Sequence, residues 1–136
     1  MISSLSRLRE RAGVRTRAAK LRAGWGRQMS ETLRRVQALV LSGDYLISDH
    51  GFDELAKDDI LPGEAITGIV AAIAVEDYPD RKRGPSILAL QHDGNGRPIH
   101  VLWGIPAGQR RPAVLVTAYR PDPDLWDSDF KKRTVP

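Results

Sequence analysis

The fold is decided by RPIHVLWGIP (residues 97–106) and AVLVTAYRP (residues 113–121), two mostly apolar stretches joined by a short turn. Both are rich in the β-branched and aromatic residues typical of strands, and the short link between them predicts a hairpin. His100 lies in the middle of the first strand, and Thr117 and Tyr119 lie near the end of the second. Because residues two apart in a strand share a face, these polar groups indicate either an active site or the solvated side of a sheet.

The composition is that of one soluble domain. The chain has 136 residues, of which 41% are apolar, enough to bury a single core. It has no cysteine, which excludes disulfides, thiolate metal sites and thiol catalysis. No apolar run approaches the roughly 18 residues of a membrane span, and the arginine-rich start lacks the apolar centre of a secretory signal. We therefore expect a cytoplasmic protein with no membrane contact.

The charge is unevenly distributed along the chain. Residues 1–43 carry ten Lys and Arg against two acids, whereas residues 44–136 carry eleven against fifteen. The net charge of +4 therefore belongs to the N-terminal segment. We expect residues 1–28 to form a basic, flexible arm and residues 29–136 to form a single domain. Such an arm attracts nucleic acid weakly and in a salt-dependent way.

Helices come first along the domain and strands follow. Apolar residues recur at helical spacing after an N-cap at Ser30, a second helix starts after Ser48 or Asp49, and a third starts at Pro62 and continues to Ile73. The intervening Tyr45-Leu46-Ile47-Ser48 is interpreted as a short strand or an extended link. Four strands, joined by hairpin-length turns, are predicted at residues 74–78, 86–91, 97–106 and 113–121.

This order predicts an α+β domain, in which the N-terminal helices pack on one face of a mostly antiparallel four-stranded sheet. Hairpin-length links leave no room for the crossover helices of a parallel doubly wound fold. The tail after the last strand is expected to fold back by inserting Trp126.

A set of spaced motifs resembles the uncharacterised bacterial domain family 4258. The motifs are Ser48-x-His50, Glu76-Asp77-Tyr78-Pro79, Gly96-Arg97-Pro98-Ile99-His100-Val101 and Val116-Thr117-Ala118-Tyr119-Arg120-Pro121-Asp122-Pro123-x-x-Trp126. The resemblance runs from about Leu33 to Trp126 and leaves out the arm. This family looks like a relative of the RelE/ParE/BrnT-type toxin fold, which implies a RelE-like domain, a cytoplasmic RNA-cleaving toxin and a cognate antitoxin as its protein partner.

One departure from the family pattern concerns the helix that carries His50. Much of the family reads His-Ala-x-x-Arg-Met-x-x-Arg-x-Ile there, whereas this chain has Glu54 and Asp58 at the two arginine positions. Acids cannot bind phosphate as arginines do, so the departure weakens a direct transfer of RNA-cleaving activity.

RNA cleavage without a metal needs a base, an acid and a cation or donors for the phosphate. His50 and His100 are the predicted acid–base pair, because imidazole titrates near neutral pH. Thr117 and Tyr119 are the predicted donors to the phosphate. The predicted RNA-binding cations are Arg97, Arg120, Arg81, Lys82, Arg83, Arg110 and Arg111.

Each of these residues also has a structural explanation. His50 can be an ordinary first-turn residue, His100 a buried histidine with a polar partner, Thr117 and Tyr119 strand formers, and the loop cations solvated side chains. The three histidines lack the tight spacing of metal ligands, so we expect neither a metal nor a small-molecule cofactor. Two hypotheses remain: a metal-independent endoribonuclease toxin, and a non-catalytic module that binds RNA, a ribosome or a protein on the same fold.

Overall fold

The computed structural model describes residues 30–134, in which three α-helices precede most of a five-stranded sheet. The predicted arm at residues 1–28 lies outside the described residues. A 3-10 helix, Gly68–Ala71, follows the third α-helix. The remaining elements in chain order are α1 (Glu31–Leu41), β1 (Tyr45–Ile47), α2 (Asp49–Lys57), α3 (Pro62–Thr67), β2 (Ile73–Tyr78), β3 (Ser86–His92), β4 (Pro98–Gly104) and β5 (Ala113–Tyr119).

The sheet has the order β1-β5-β4-β3-β2. Strands β2 to β5 pair in sequence as antiparallel neighbours, as predicted, but β1 adds a fifth strand parallel to β5. The prediction of a four-stranded sheet was therefore wrong, and the sheet is mixed. Parallel strands need a long connection, because the chain must return to the end of the sheet at which the first strand began. The two α-helices and three strands between β1 and β5 provide that connection.

The helices pack on one face of this sheet, which confirms the α+β class. Leu55 of α2 and Val36 of α1 are fully buried there against alternate residues of the central strands, including Val101 and Leu115. Ser30 caps α1, since its Oγ accepts a hydrogen bond from the Leu33 nitrogen at 3.1 Å. We call the buried side chains between the helices and this face of the sheet, such as Val36, Leu55, Val101 and Leu115, the helix-side core.

The third helix is shorter than its apolar pattern predicts. It ends at Thr67 and tightens into the 3-10 turn, where a Cβ on Gly68 would lie 2.9 Å from Nε2 of Gln91. Gln91 itself donates to the Ala65 carbonyl at 2.7 Å and accepts from the Trp103 indole at 3.0 Å. The missing side chain at Gly68 therefore lets this turn lie close to β3.

The other face of the sheet is covered by residues 122–134, which we call the C-terminal strap. Trp126 inserts as predicted and is 2% exposed. The strap folds on itself, because the Thr134 nitrogen donates to the Leu125 carbonyl at 2.9 Å and the Asp127 nitrogen donates to the Lys132 carbonyl at 2.8 Å. No helix in the described part of the chain is long and apolar enough to cross a membrane.

Candidate functional site

The predicted donors and His100 do share one face of the sheet. His100 pairs directly with Tyr119, and Leu102, two residues along β4, pairs with Thr117. Thr117 shares a face with Tyr119 by alternation, and a bulge at Val116 turns Leu115, two residues before Thr117, to the helix-side core. Sequence alternation therefore placed these three side chains correctly relative to one another.

That face is closed rather than open. His100 is 0% exposed, and the ring of Trp126 stands edge-on to it with centroids 4.4 Å apart. Tyr119 is also buried, with its ring 5.4 Å from that of His100. This face of the sheet is therefore not solvated, because the C-terminal strap, whose path the sequence pattern did not predict in detail, fills the space above β4 and β5.

His100 has a single tautomer that satisfies its contacts. Its Nε2 lies 2.7 Å from the Phe130 carbonyl oxygen, which can only accept, so Nε2 carries the proton. Nδ1 then accepts from the Tyr119 hydroxyl at 3.3 Å. Burial lowers the pKa of His100 from 6.5 to about 3, and the hydrogen bond to Phe130 offsets this only in part. The imidazole is therefore neutral, with both ring nitrogens occupied.

Thr117 has no partner for its hydroxyl among the described residues. The side chain is 1% exposed and its Oγ1 makes no hydrogen bond. An unpaired buried hydroxyl costs free energy, so this position is less favourable than an apolar residue of the same shape would be.

A charged cluster that sequence reasoning did not assign lies on the same face. Nε and Nη2 of Arg133 donate to the two carboxylate oxygens of Glu76 at 2.8 and 3.2 Å, and the Tyr78 hydroxyl also donates to Glu76. Burial raises the pKa of Tyr78, and the Glu76 carboxylate raises it further. The Arg133 guanidinium also lies 4.6 Å above the ring of Trp126. The two-residue spacing of Glu76 and Tyr78 was a signal for a shared face, but their partner from the strap was not predictable by spacing.

His50 is not part of the His100 contacts. It lies half-buried in the first turn of α2, which begins where Oγ of Ser48 accepts from the Gly51 nitrogen at 2.9 Å. This helix packs through Leu55 into the helix-side core, whereas the hydrogen bonds and ring contacts of His100 run to Tyr119, Phe130 and Trp126. None of these contacts of His100 involves His50, so the acid–base pair stays a prediction.

Arg120 is held by internal contacts. Its Nη1 lies 3.0 Å from Oδ2 of Asp93, its Nε donates to the Asp58 carbonyl at 3.1 Å, and its side chain is 18% exposed. These contacts join the end of α2 to the β3–β4 hairpin. Arg97, in that hairpin, stays 60% exposed beside Asp93. Of the two arginines, only Arg97 keeps its guanidinium at the surface.

Glu54 and Asp58, the acids at the positions where the resemblance implies arginines, both lie inside the protein. Glu54 is fully buried and pairs with Nζ of Lys57 at 3.1 Å. Asp58 accepts from the Arg120 backbone nitrogen at 2.8 Å, and burial raises its pKa. These positions face the interior and the Arg120 contacts, so they do not form a surface for phosphate.

The two predicted basic loops meet at one end of the sheet. Arg81, Lys82 and Arg83 are exposed on the β2–β3 loop, and Arg110 and Arg111 are exposed on the β4–β5 loop. The loops contact each other, because the Ala107 nitrogen donates to the Arg83 carbonyl at 3.0 Å. Arg35 of α1, which sequence reasoning missed, joins them by donating to the Gln109 carbonyl at 3.5 Å. We call these six cations the basic end: Arg35, Arg81, Lys82, Arg83, Arg110 and Arg111.

Comparison with known proteins gives one match. The family model described as "Domain of unknown function (DUF4258)" matches residues 47–120, more than half of the chain. The chain belongs to this family. No curated protein and no solved structure matches it significantly.

The DUF4258 match covers β2 to β5 and both basic loops, but it includes only the last residue of β1 and neither α1 nor the C-terminal strap. Thus His100 lies within the family region, while the groups that enclose it, Trp126 and Phe130, lie beyond it. The family description assigns no activity, so any function has to be argued from the site itself. Within residues 30–134, no three His, Asp or Glu side chains lie close enough together to hold a metal ion.

Proposed function

We propose that this DUF4258 domain is a non-catalytic RNA-binding module that holds the phosphate backbone at its basic end. The observation that carries the proposal is the contact between the two loops, which brings five exposed cations from separate parts of the chain to one surface. Phosphate contacts from Lys and Arg supply most of the affinity of sequence-independent nucleic-acid binding.

The charge balance at the basic end supports an anionic ligand. Only Asp44 and Asp80 accompany the six cations in these loops and in the adjoining turn, and Asp44 pairs with Arg111 at 3.3 Å. Arg111 remains 75% exposed despite this pair. Exposed ion pairs are weak, so a phosphate can compete for Arg111 at little cost.

Binding is favoured over cleavage by the state of His100. A general base or acid for RNA cleavage works best with a pKa near neutrality and with access to the substrate. His100 has a pKa of about 3, and its ring nitrogens are engaged by Phe130 and Tyr119 beneath the strap. His100 therefore supports the packing of the strap, and the nuclease hypothesis depends on a rearrangement of that strap.

The direct test measures the affinity of the full chain for a short labelled RNA at several salt concentrations. Changing Arg83→Ala or Arg110→Ala should weaken binding and lower the salt slope by about 0.7 for each phosphate interaction on a single strand that the change removes. Arg97→Ala is the matched control, since it removes an exposed arginine from the opposite end of the sheet. Because the arm is present in every variant, its contribution cancels. Equal losses from all three changes, or no binding by the unchanged protein, would refute the proposal.

The endoribonuclease toxin, with its ribosome and antitoxin partners, stays a prediction from the resemblance. The same RNA, incubated with the protein with and without ribosomes, separates the two functions. If the domain only binds, RNA added in large excess over the protein stays intact. Multiple-turnover cleavage that disappears in both His50→Ala and His100→Ala, with folding retained, would replace the binding proposal with the toxin hypothesis.

A further inference from the structure

The contact between the two basic loops depends on Gly84. This glycine has φ +118°, a backbone conformation that only glycine adopts readily. A Cβ there would lie 1.9 Å from the Ile105 carbonyl oxygen and 2.7 Å from the Ala107 nitrogen. Both atoms belong to the β4–β5 loop backbone and cannot rotate away as a side chain could. Gly84 thus allows the loops to approach at the point where Ala107 donates to Arg83.

The two basic loops carry charges but no aromatic ring of their own, since residues 79–85 and 105–112 contain no aromatic side chain. Tyr78, next to the β2–β3 loop, is 6% exposed, and the Arg81 guanidinium lies 4.0 Å from its ring centroid. Tyr45, on the edge strand β1, is 39% exposed and pairs with Ala113 at the end of the β4–β5 loop. Stacking on aromatic side chains is the usual means of holding unpaired bases, so the loops themselves are suited to phosphates rather than to bases.

We infer that the β2–β3 and β4–β5 loops act as one clamp on the phosphate backbone, and that Gly84 is the positioning residue that sets their spacing. The inference rests on the proposed function and extends it, since it names what the site recognises: consecutive phosphates, whatever the base sequence. A clamp with two joined arms binds more tightly than two independent loops, because the second contact becomes intramolecular.

Gly84→Ala tests the clamp without removing a charge. The added methyl group forces the loops apart, so one loop should no longer reach the phosphates. We expect the salt slope of RNA binding by the full chain to fall by about 2, equivalent to about three phosphate interactions on a single strand, with at least a tenfold loss of affinity. An unchanged slope in a folded Gly84→Ala variant would overturn the clamp while leaving RNA binding by the unchanged protein, and hence the proposed function, intact.

Gly108→Ala is the matched control. Gly108 also has a positive φ, +72°, and lies in the β4–β5 loop, but a Cβ there has no heavy atom within 4 Å. It should bind RNA with the unchanged slope. An equal loss in both variants would mean that loop strain, rather than the approach of one loop to the other, controls binding, and would overturn the role of Gly84.

A second measurement does not depend on the folding of Gly84→Ala. Lys82→Ala and Arg110→Ala remove one exposed cation from each loop, and the double variant completes a cycle. For a clamp, the double variant should bind several-fold more tightly than the product of the two single losses predicts. Independent losses would contradict the clamp, as would a strong preference of the unchanged protein for one base composition or for RNA over DNA of the same length.

Discussion

The two faces of the sheet bury different kinds of side chain. The helix-side core is mostly aliphatic, with the Trp103–Gln91 pair and the buried Glu54 as polar exceptions, and most of its side chains come from helices and strands. The strap side buries His100, Thr117, Tyr119 and the Glu76 carboxylate. Two of these four, His100 and Glu76, bond to groups from the irregular strap. The difference shows that a polar side chain on one face of a strand indicates a need for a partner, and that this partner can be the chain itself rather than solvent or substrate.

The largest loss of stability should come from a substitution on the helix side. Leu55→Ala removes a fully buried side chain between α2 and the sheet, and we expect the free energy of unfolding to fall by about 4 kcal/mol. Urea unfolding measures this free energy. Phe52→Ala is the control on the same helix, because Phe52 is 48% exposed and should cost less than about 1 kcal/mol. Similar losses from both changes would mean that α2 does not anchor the core through Leu55.

On the strap side, the largest loss in the free energy of unfolding is expected from removing one partner of the Arg133–Glu76 ion pair. Arg133→Met keeps an apolar stem near Trp126 but leaves the buried Glu76 carboxylate without its guanidinium, and we expect a loss of about 3 kcal/mol. The double variant Glu76→Gln with Arg133→Met should recover much of this loss, since it leaves no uncompensated charge. If the double variant is as unstable as Arg133→Met alone, the loss comes from packing rather than from charge.

Local sequence patterns predicted the elements well, but not the contacts between distant ones. The spacing of apolar residues placed α1 and its Ser30 cap, and strand alternation placed His100, Thr117 and Tyr119 on one face, because both signals act within a few residues. The parallel pairing of β1 depends on how the helices fold back, which no pattern in three residues can specify. The closure of the site depends on Phe130 and Arg133, which lie in a segment without periodicity.

The pH dependence of stability sharpens the contrast between the faces. His100 has a folded-state pKa of about 3 against an ordinary value of 6.5, so between these values the unfolded chain binds more protons. The stabilisation is complete above pH 6.5 and is lost as the pH falls. From pH 7 to pH 5 the contribution of His100 should decrease by about 2 kcal/mol.

Chemical unfolding at the two pH values measures this change. His100→Leu should abolish that part of the slope, whatever its overall stability, whereas His92→Ala, which removes an exposed imidazole, should retain it. A slope that persists in His100→Leu would mean that other groups on the strap side control the acid response.

The smallest effect is the one that separates a structural role from a catalytic one. Thr117→Val replaces the unpaired buried hydroxyl with a methyl group of similar shape, so no hydrogen bond is lost and a desolvation cost is removed. We expect a gain of about 1 kcal/mol in the free energy of unfolding, with RNA affinity unchanged. Tyr119→Phe is the contrasting variant on the same strand, since the Tyr119 hydroxyl donates to His100 and its loss should destabilise the protein. If Thr117→Val instead destabilises the domain or impairs an RNA-cleaving activity, its hydroxyl has a partner or substrate that the closed strap does not supply, and the face beneath the strap must open.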